Sequence, residues 1–159
     1  MQQETIQFFA SILREDRPVW EILDASYTFL NEPLAAHYGI AGIDGPDMRR
    51  VDLPAERRHG ILQQASILTA TSNPTRTSPV KRGKWILGAL LDAPPPPPLP
   101  GVDSLPVDTG DGEGLTMRQM LERHRTDPGC AICHRQMDAL GLSLENYDAV
   151  GRWRDLEGS

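Results

Sequence analysis

No uninterrupted run of about 18 apolar residues occurs in the chain, so no segment reads as a membrane-spanning helix. Basic residues are also short. Sixteen Lys and Arg against 22 Asp and Glu leave a net charge of −6, which argues against the basic face that nucleic-acid binders carry. Aromatics are sparse at 6%, and a hydrophobic fraction of 39% over 159 residues suffices for one domain or two small ones. The opening stretch MQQETIQFFASILRED lacks a basic segment followed by an apolar core and a small-residue cleavage site, so it does not read as a secretory signal. Alternation of the strand kind over four or more residues is missing too, and the expected fold class is all-α. Cysteine is the scarcest informative residue: there are two, at positions 130 and 133.

What is abundant is punctuation. Fourteen prolines and fourteen glycines divide the chain into short helical segments. Residues 2–14 carry Ile6, Phe9, Ala10 and Leu13 at helical spacing. Pro18 opens a second helix through Trp20, Ile22 and Leu23, and a third is expected from Tyr27 to His37 with Gly39 as its stop. GIAGIDGPDM follows as a loop, then a helix from Ala55 to Leu68 with Ile61, Leu62, Ala65 and Leu68 inward. Ser78 as N-cap and Pro79 at the first position start another, burying Trp85, Ile86, Ala89 and Leu90. APPPPPLPG ends it as a stiff polyproline II spacer of about 3.1 Å per residue. Thr116 and Gln119 form a capping box, with Leu115 and Met120 as the surrounding staple, for a short helix to His124. Beyond the cysteines one helix should run to Leu140 with Gly141 as stop, and another from Ser143 to Val150 with Gly151 as stop. The expected organisation is a helical scaffold over 1–93, a Pro-rich linker over 94–114 and a small C-terminal module over 115–159.

The chemistry concentrates in Cys130-Ala131-Ile132-Cys133-His134. On a helical turn the two thiols share one face, and His134 lies four residues from Cys130 on that same face. Two thiols so placed can add to the two vinyl groups of a haem, and the adjacent imidazole can then bind the iron; this is the c-type attachment pattern. Three other readings compete. A redox dithiol normally belongs to a strand–helix unit. A structural zinc wants four ligands, which would have to come from His134 with His124, His37 or His59. A disulfide across two intervening residues closes a small, strained loop.

If haem is bound, the iron's opposite ligand is drawn from His124 first, then Met120 or Met117, or the position is left open; Met137 is too close to His134 and is read as packing. Arg135, Arg152 and Arg154 are the expected partners of the haem propionates as a group, with Trp153 at the haem edge or in a core. The stretch TSNPTRTSPVKRGKW offers either an anion site at Ser78 with Arg76, Lys81 and Arg82, for a propionate or a substrate carboxylate, or an ordinary capped helix start. No nucleophile–base pair or paired-carboxylate arrangement stands out, so no catalytic residue is assigned.

The segments TSPVKRGKW, CHRQMD and LENYDAVGRWR, with LDASYTFLNEPLAAHYGI before them, resemble consecutive parts of the planctomycete-type cytochrome proteins. These are large multi-domain proteins whose constituent parts are named as domains of unknown function. The resemblance covers nearly the whole chain. It implies one covalent haem c on Cys130, Cys133 and His134, export with a signal supplied upstream, and single-electron transfer to or from a partner protein or domain. A stand-alone enzyme is not implied. The alternatives are a zinc- or thiol-bearing interaction module, or the haem site of an oxidoreductase completed by further domains.

Overall fold

The computed structural model describes residues 1–53, 60–97, 115–126 and 128–156. They fall into two compact units: residues 1–77 with 146–155, and residues 78–145 with Leu156.

In the first unit, helix α1 (Gln2–Arg14) forms where the periodicity places it, but a different face turns inward. Glu4, Phe8, Ser11 and Ile12 are buried, at i, i+4, i+7 and i+8, while Ile6 and Leu13 are 51% and 79% exposed. A carboxylate enters this core because hydroxyls meet it. Thr28 Oγ1 donates to Glu4 Oε1 at 2.7 Å, and Tyr38 Oη donates to Glu4 Oε2 at 2.7 Å. Tyr38 Oη accepts in turn from the Ala65 N–H at 2.7 Å. One buried oxygen therefore serves two partners. Tyr38→Phe is expected to destabilise the chain by about 1–2 kcal/mol, seen as a lower urea midpoint at unchanged slope. An unmoved midpoint would show that the network carries no net stability.

The chain is helix-rich but not all-α, because only the second half of the helix expected over 27–37 forms and the first half is a strand. Tyr27–Leu30 is strand β1, and α3 begins only at Glu32 and runs to Tyr38. Two features decide it. Tyr27, Thr28 and Phe29 are aromatic or β-branched and suit an extended chain. Pro33 would fall inside a continuous helix, whereas here it sits in the first turn of α3 behind an Asn31 N-cap that accepts from the Leu34 N–H at 3.2 Å. Gly39 ends α3 in the left-handed conformation, as expected. The partner strand β2 (Arg49–Asp52) pairs antiparallel with β1 in the register Tyr27 to Asp52 and Leu30 to Arg49.

Between the strands and α1 lies the short helix α2 (Glu21–Asp24). Arg17 Nε donates to Glu21 Oε2 at 2.5 Å, and this bond holds the Glu21 carboxyl below the usual carboxylate range. The helix expected over 55–68 lies partly outside the described residues. The remainder is a 3₁₀ turn, Ile61–Gln63, and then α4 (Ala65–Ala70), separated by the extended Gln64. Leu30, Leu34, Ala35, Tyr38 and Ala65 form one core cluster.

Residues 146–155 return to this unit without forming the helix expected over 143–150. The Asp148 carboxylate accepts from the backbone N–H of Val150 and Arg152 at 2.9 and 2.8 Å, offering the backbone an alternative to helix, and Tyr147 bridges to Trp153.

The second unit contains α5 (Pro79–Trp85), α6 (Met117–His124) and α7 (Pro128–Leu142). The caps read from sequence are present: Ser78 accepts from the Lys81 N–H, and Thr116 with Gln119 makes both halves of the capping box. After Trp85 the helix widens into a π-helical turn, Ile86–Leu90. The widening moves the buried positions to Ile86 and Leu87 and leaves Ala89 exposed, contrary to the uniform helical expectation. The prolines 94–97 follow without regular structure; residues 98–114 of the expected linker lie outside the described residues.

Helix α7 runs on through Gly141, which is not its stop. Gly141 faces the Pro79 carbonyl, and Gly83 faces the Met137 carbonyl. The two contacts run in opposite directions along the chain, so α5 and α7 cross antiparallel with backbone against backbone. Arg82, buried at 1% exposure, donates from Nη1 to the Leu144 carbonyl at 2.7 Å and pairs with Glu145 at 3.3 Å.

Candidate functional site

Cys130, Cys133 and His134 stand together on α7, and all three are partly buried. They line a cavity of about 620 Å³. Helix α5 contributes Val80, Lys81 and Lys84 to it, the proline run contributes Pro95–Pro97, and α6 contributes His124 at its end. Ile132 and Met137 complete the α7 wall. Both thiols are free.

His134 is held from behind. Its Nδ1 lies 3.0 Å from Asp138 Oδ1, one helical turn on, and Asp138 is fully buried. Arg125 Nε stands 3.7 Å from Asp138 Oδ2, an ion-pair distance beyond hydrogen-bond reach. The tautomer that satisfies this carboxylate carries its proton on Nδ1, which leaves Nε2 as the nitrogen available to a metal. Metal-binding histidines are commonly oriented by such a carboxylate.

The other expected ligands have contacts of their own. The rings of His124 and His134 have centroids 4.8 Å apart at 74°, an edge-to-face contact. Met117 is buried in a cluster with Leu121 and Leu142, and Met120 packs against it. Met137 is buried, consistent with packing.

Residues 58–157 match the family described as Protein of unknown function (DUF1588), PSCyt3, and residues 1–40 match Protein of unknown function (DUF1592), PSD4. The chain belongs to the DUF1588 family. Both domains are typical of planctomycete cytochrome c-type multi-domain proteins, so the DUF1588 family is part of larger assemblies of domains. Neither a characterised protein nor a solved structure matches the chain. No helix among the described residues is long and apolar enough to cross a membrane.

Every residue lining the cavity lies inside the DUF1588 match. Arg135 is exposed on α7 and is not among those lining the cavity. Arg152, Trp153 and Arg154 belong to the first unit, where they have other partners. Arg152 Nε donates to His37 Nδ1 at 3.4 Å, Arg154 Nη2 contacts Thr77 Oγ1 at 3.5 Å, and Trp153 Nε1 donates to Asp155 at 3.0 Å. The Trp153 ring stacks edge-on against Tyr147. Arg82 serves Leu144 and Glu145, and Ser78 caps the start of α5.

Among the described residues no three His, Cys, Asp or Glu side chains gather in a metal-holding group. His37, a possible zinc ligand by composition, lies in the first unit with its Nε2 2.9 Å from the Val150 carbonyl, and His59 lies outside the described residues. A haem makes different demands: two thiols, one imidazole and an apolar cleft. Thiols and imidazole share one wall here, and the cavity volume falls within the ~300–1,000 Å³ of cofactor clefts. These residues fit the group.

Asp138 and Lys84 escaped the sequence. Asp138 had a readable signal, being four residues after His134. Lys84 had none; Lys81, expected beside Ser78 as part of an anion site, lines the cavity with it.

Proposed function

We propose that the second unit binds one covalent haem c and passes single electrons to or from a partner protein or a neighbouring domain. The observation that carries this reading is the shared wall: Cys130, Cys133 and His134 face one apolar cavity, with His134 already oriented by a buried carboxylate. Cys130 and Cys133 would each hold the haem through a thioether, the carbon–sulfur bond replacing the vinyl π bond and the thiol proton passing to the neighbouring carbon with no change of oxidation state. His134 Nε2 would hold the iron, while Asp138 keeps the proton on Nδ1 and orients the ring. When bound, the haem supplies a one-electron couple. Val80 and Pro95–Pro97 line the cleft with apolar surface that excludes water, which bears on the potential. Covalent haem attachment is usually completed outside the cytoplasm, so we place the working protein in the periplasm or another exported compartment.

Co-expression with a haem-maturation system tests the reading. A red protein whose pigment survives denaturation and acid–organic extraction is expected. A colourless product carrying zinc would overturn it in favour of a metal-stabilised interaction module.

Asp138 allows a finer test. Asp138→Asn keeps the shape but weakens the acceptor, and loss of such a partner typically costs 10–100-fold in ligand affinity. Displacement of His134 from the iron by added imidazole, followed by absorption spectroscopy, should need about 10–100-fold less imidazole in the variant. An unchanged displacement midpoint would mean that Asp138 does not orient His134.

A further inference from the structure

The cavity surface is mostly apolar, and two cations are among the residues that line it. Lys81 and Lys84 line it from α5, whereas the two cysteines line it from α7. They are three residues apart, so they lie on the same side of α5 with Cβ atoms about 5–6 Å apart. An apolar cleft with thiols on one helix and two cations on another suits a flat apolar molecule that carries two anionic groups as well as its two tethers. A porphyrin attached through its vinyl groups has this form, because its two propionates project from the opposite edge.

Building on the haem reading above, we infer that Lys81 and Lys84 are the pair that receives the two haem propionates. The arginines near the motif do not compete. Arg135 is not among the residues lining the cavity, Arg152 and Arg154 belong to the first unit, and Arg82 is engaged by Leu144 and Glu145. Lysine suits the position. Its ammonium is a compact charge on a flexible stem, able to follow a propionate at an exposed margin, and both lysines are exposed. Exposure also means the interaction is screened by salt.

The consequence is electrostatic. Two ammonium groups beside the propionates offset their negative charge and favour the reduced, less positive iron. They also keep the propionates ionised to lower pH.

The experiment compares the haem-loaded parent with Lys81→Gln/Lys84→Gln and Lys81→Arg/Lys84→Arg by spectroscopic redox titration across pH, at low and high salt. The glutamine variant should carry as much covalent haem as the parent. At low salt and fixed poise its ferrous-to-ferric ratio should fall about tenfold, equivalent to ~59 mV for one electron. The pH range over which its potential varies should move upward. The difference should shrink in 1 M salt, where the screening length is ~3 Å, and the arginine variant should track the parent. A glutamine variant with the parent's potential and pH profile at low salt would overturn the pairing and leave haem attachment standing. A parent that acquires no covalent haem would overturn both.

Discussion

Gly83→Ala and Gly141→Ala are each expected to unfold the second unit under conditions where the parent is folded. An alanine Cβ at position 83 would overlap the Met137 carbonyl oxygen, and one at 141 would overlap the Pro79 carbonyl oxygen. Both obstacles are backbone, so no side chain can rotate away. Helix propensity alone favours alanine by about 1 kcal/mol at an interior helical position. Against this, α5 and α7 would have to separate along the crossing that builds the unit, at a cost on the order of 3–5 kcal/mol, in the exceptional range for one substitution. Sterics therefore decide the sign. Gly88→Ala is the control. Its Cβ would meet only the Pro94 Cβ at 3.8 Å, an ordinary contact, so stability should hold or rise slightly. Chemical denaturation of the three variants separates the cases. Equal stability for Gly83→Ala and the parent would show that the two helices do not cross as described.

The same crossing explains why sequence reading stopped where it did. Local signals were legible because their physics is local. The Ser78 cap, the Thr116 and Gln119 box and the Gly39 stop each depend on residues within a few positions, and each is present. The helical placement of Cys130, Cys133 and His134 was readable for the same reason. What failed depends on partners distant in sequence. Glu4 and Ser11 look like surface residues of α1 until the hydroxyls of Thr28, Tyr38 and Tyr27 are placed around them. The β2 strand, Arg-Arg-Val-Asp, has no alternating pattern and exists through pairing with β1. Gly141 reads as a helix stop by its position after an apolar run, yet it serves a close approach from a helix about 60 residues earlier. Arg152 and Arg154, near the motif in sequence, fold into the first unit. Lys81 and Lys84, some 50 residues away, line the cavity.

Removing the two thiols is expected to have the largest effect of all, because a covalent bond is either present or absent. Cys130 and Cys133 are three apart on α7, so each would hold one edge substituent of the same porphyrin while His134 would bind the iron. With one cysteine left, one thioether still survives denaturation. With neither, nothing remains but His134 and apolar contact, which denaturant removes. The folded chain itself should tolerate the change, since both thiols are free and only partly buried.

The decisive measurement is the mass of the denatured chain after maturation beside a haem-loading system, for the parent and for Cys130→Ala/Cys133→Ala. The parent should carry the added mass of one haem, and the double variant should carry none. A double variant that keeps the added mass, or a parent that never acquires it, would contradict the assignment of this site.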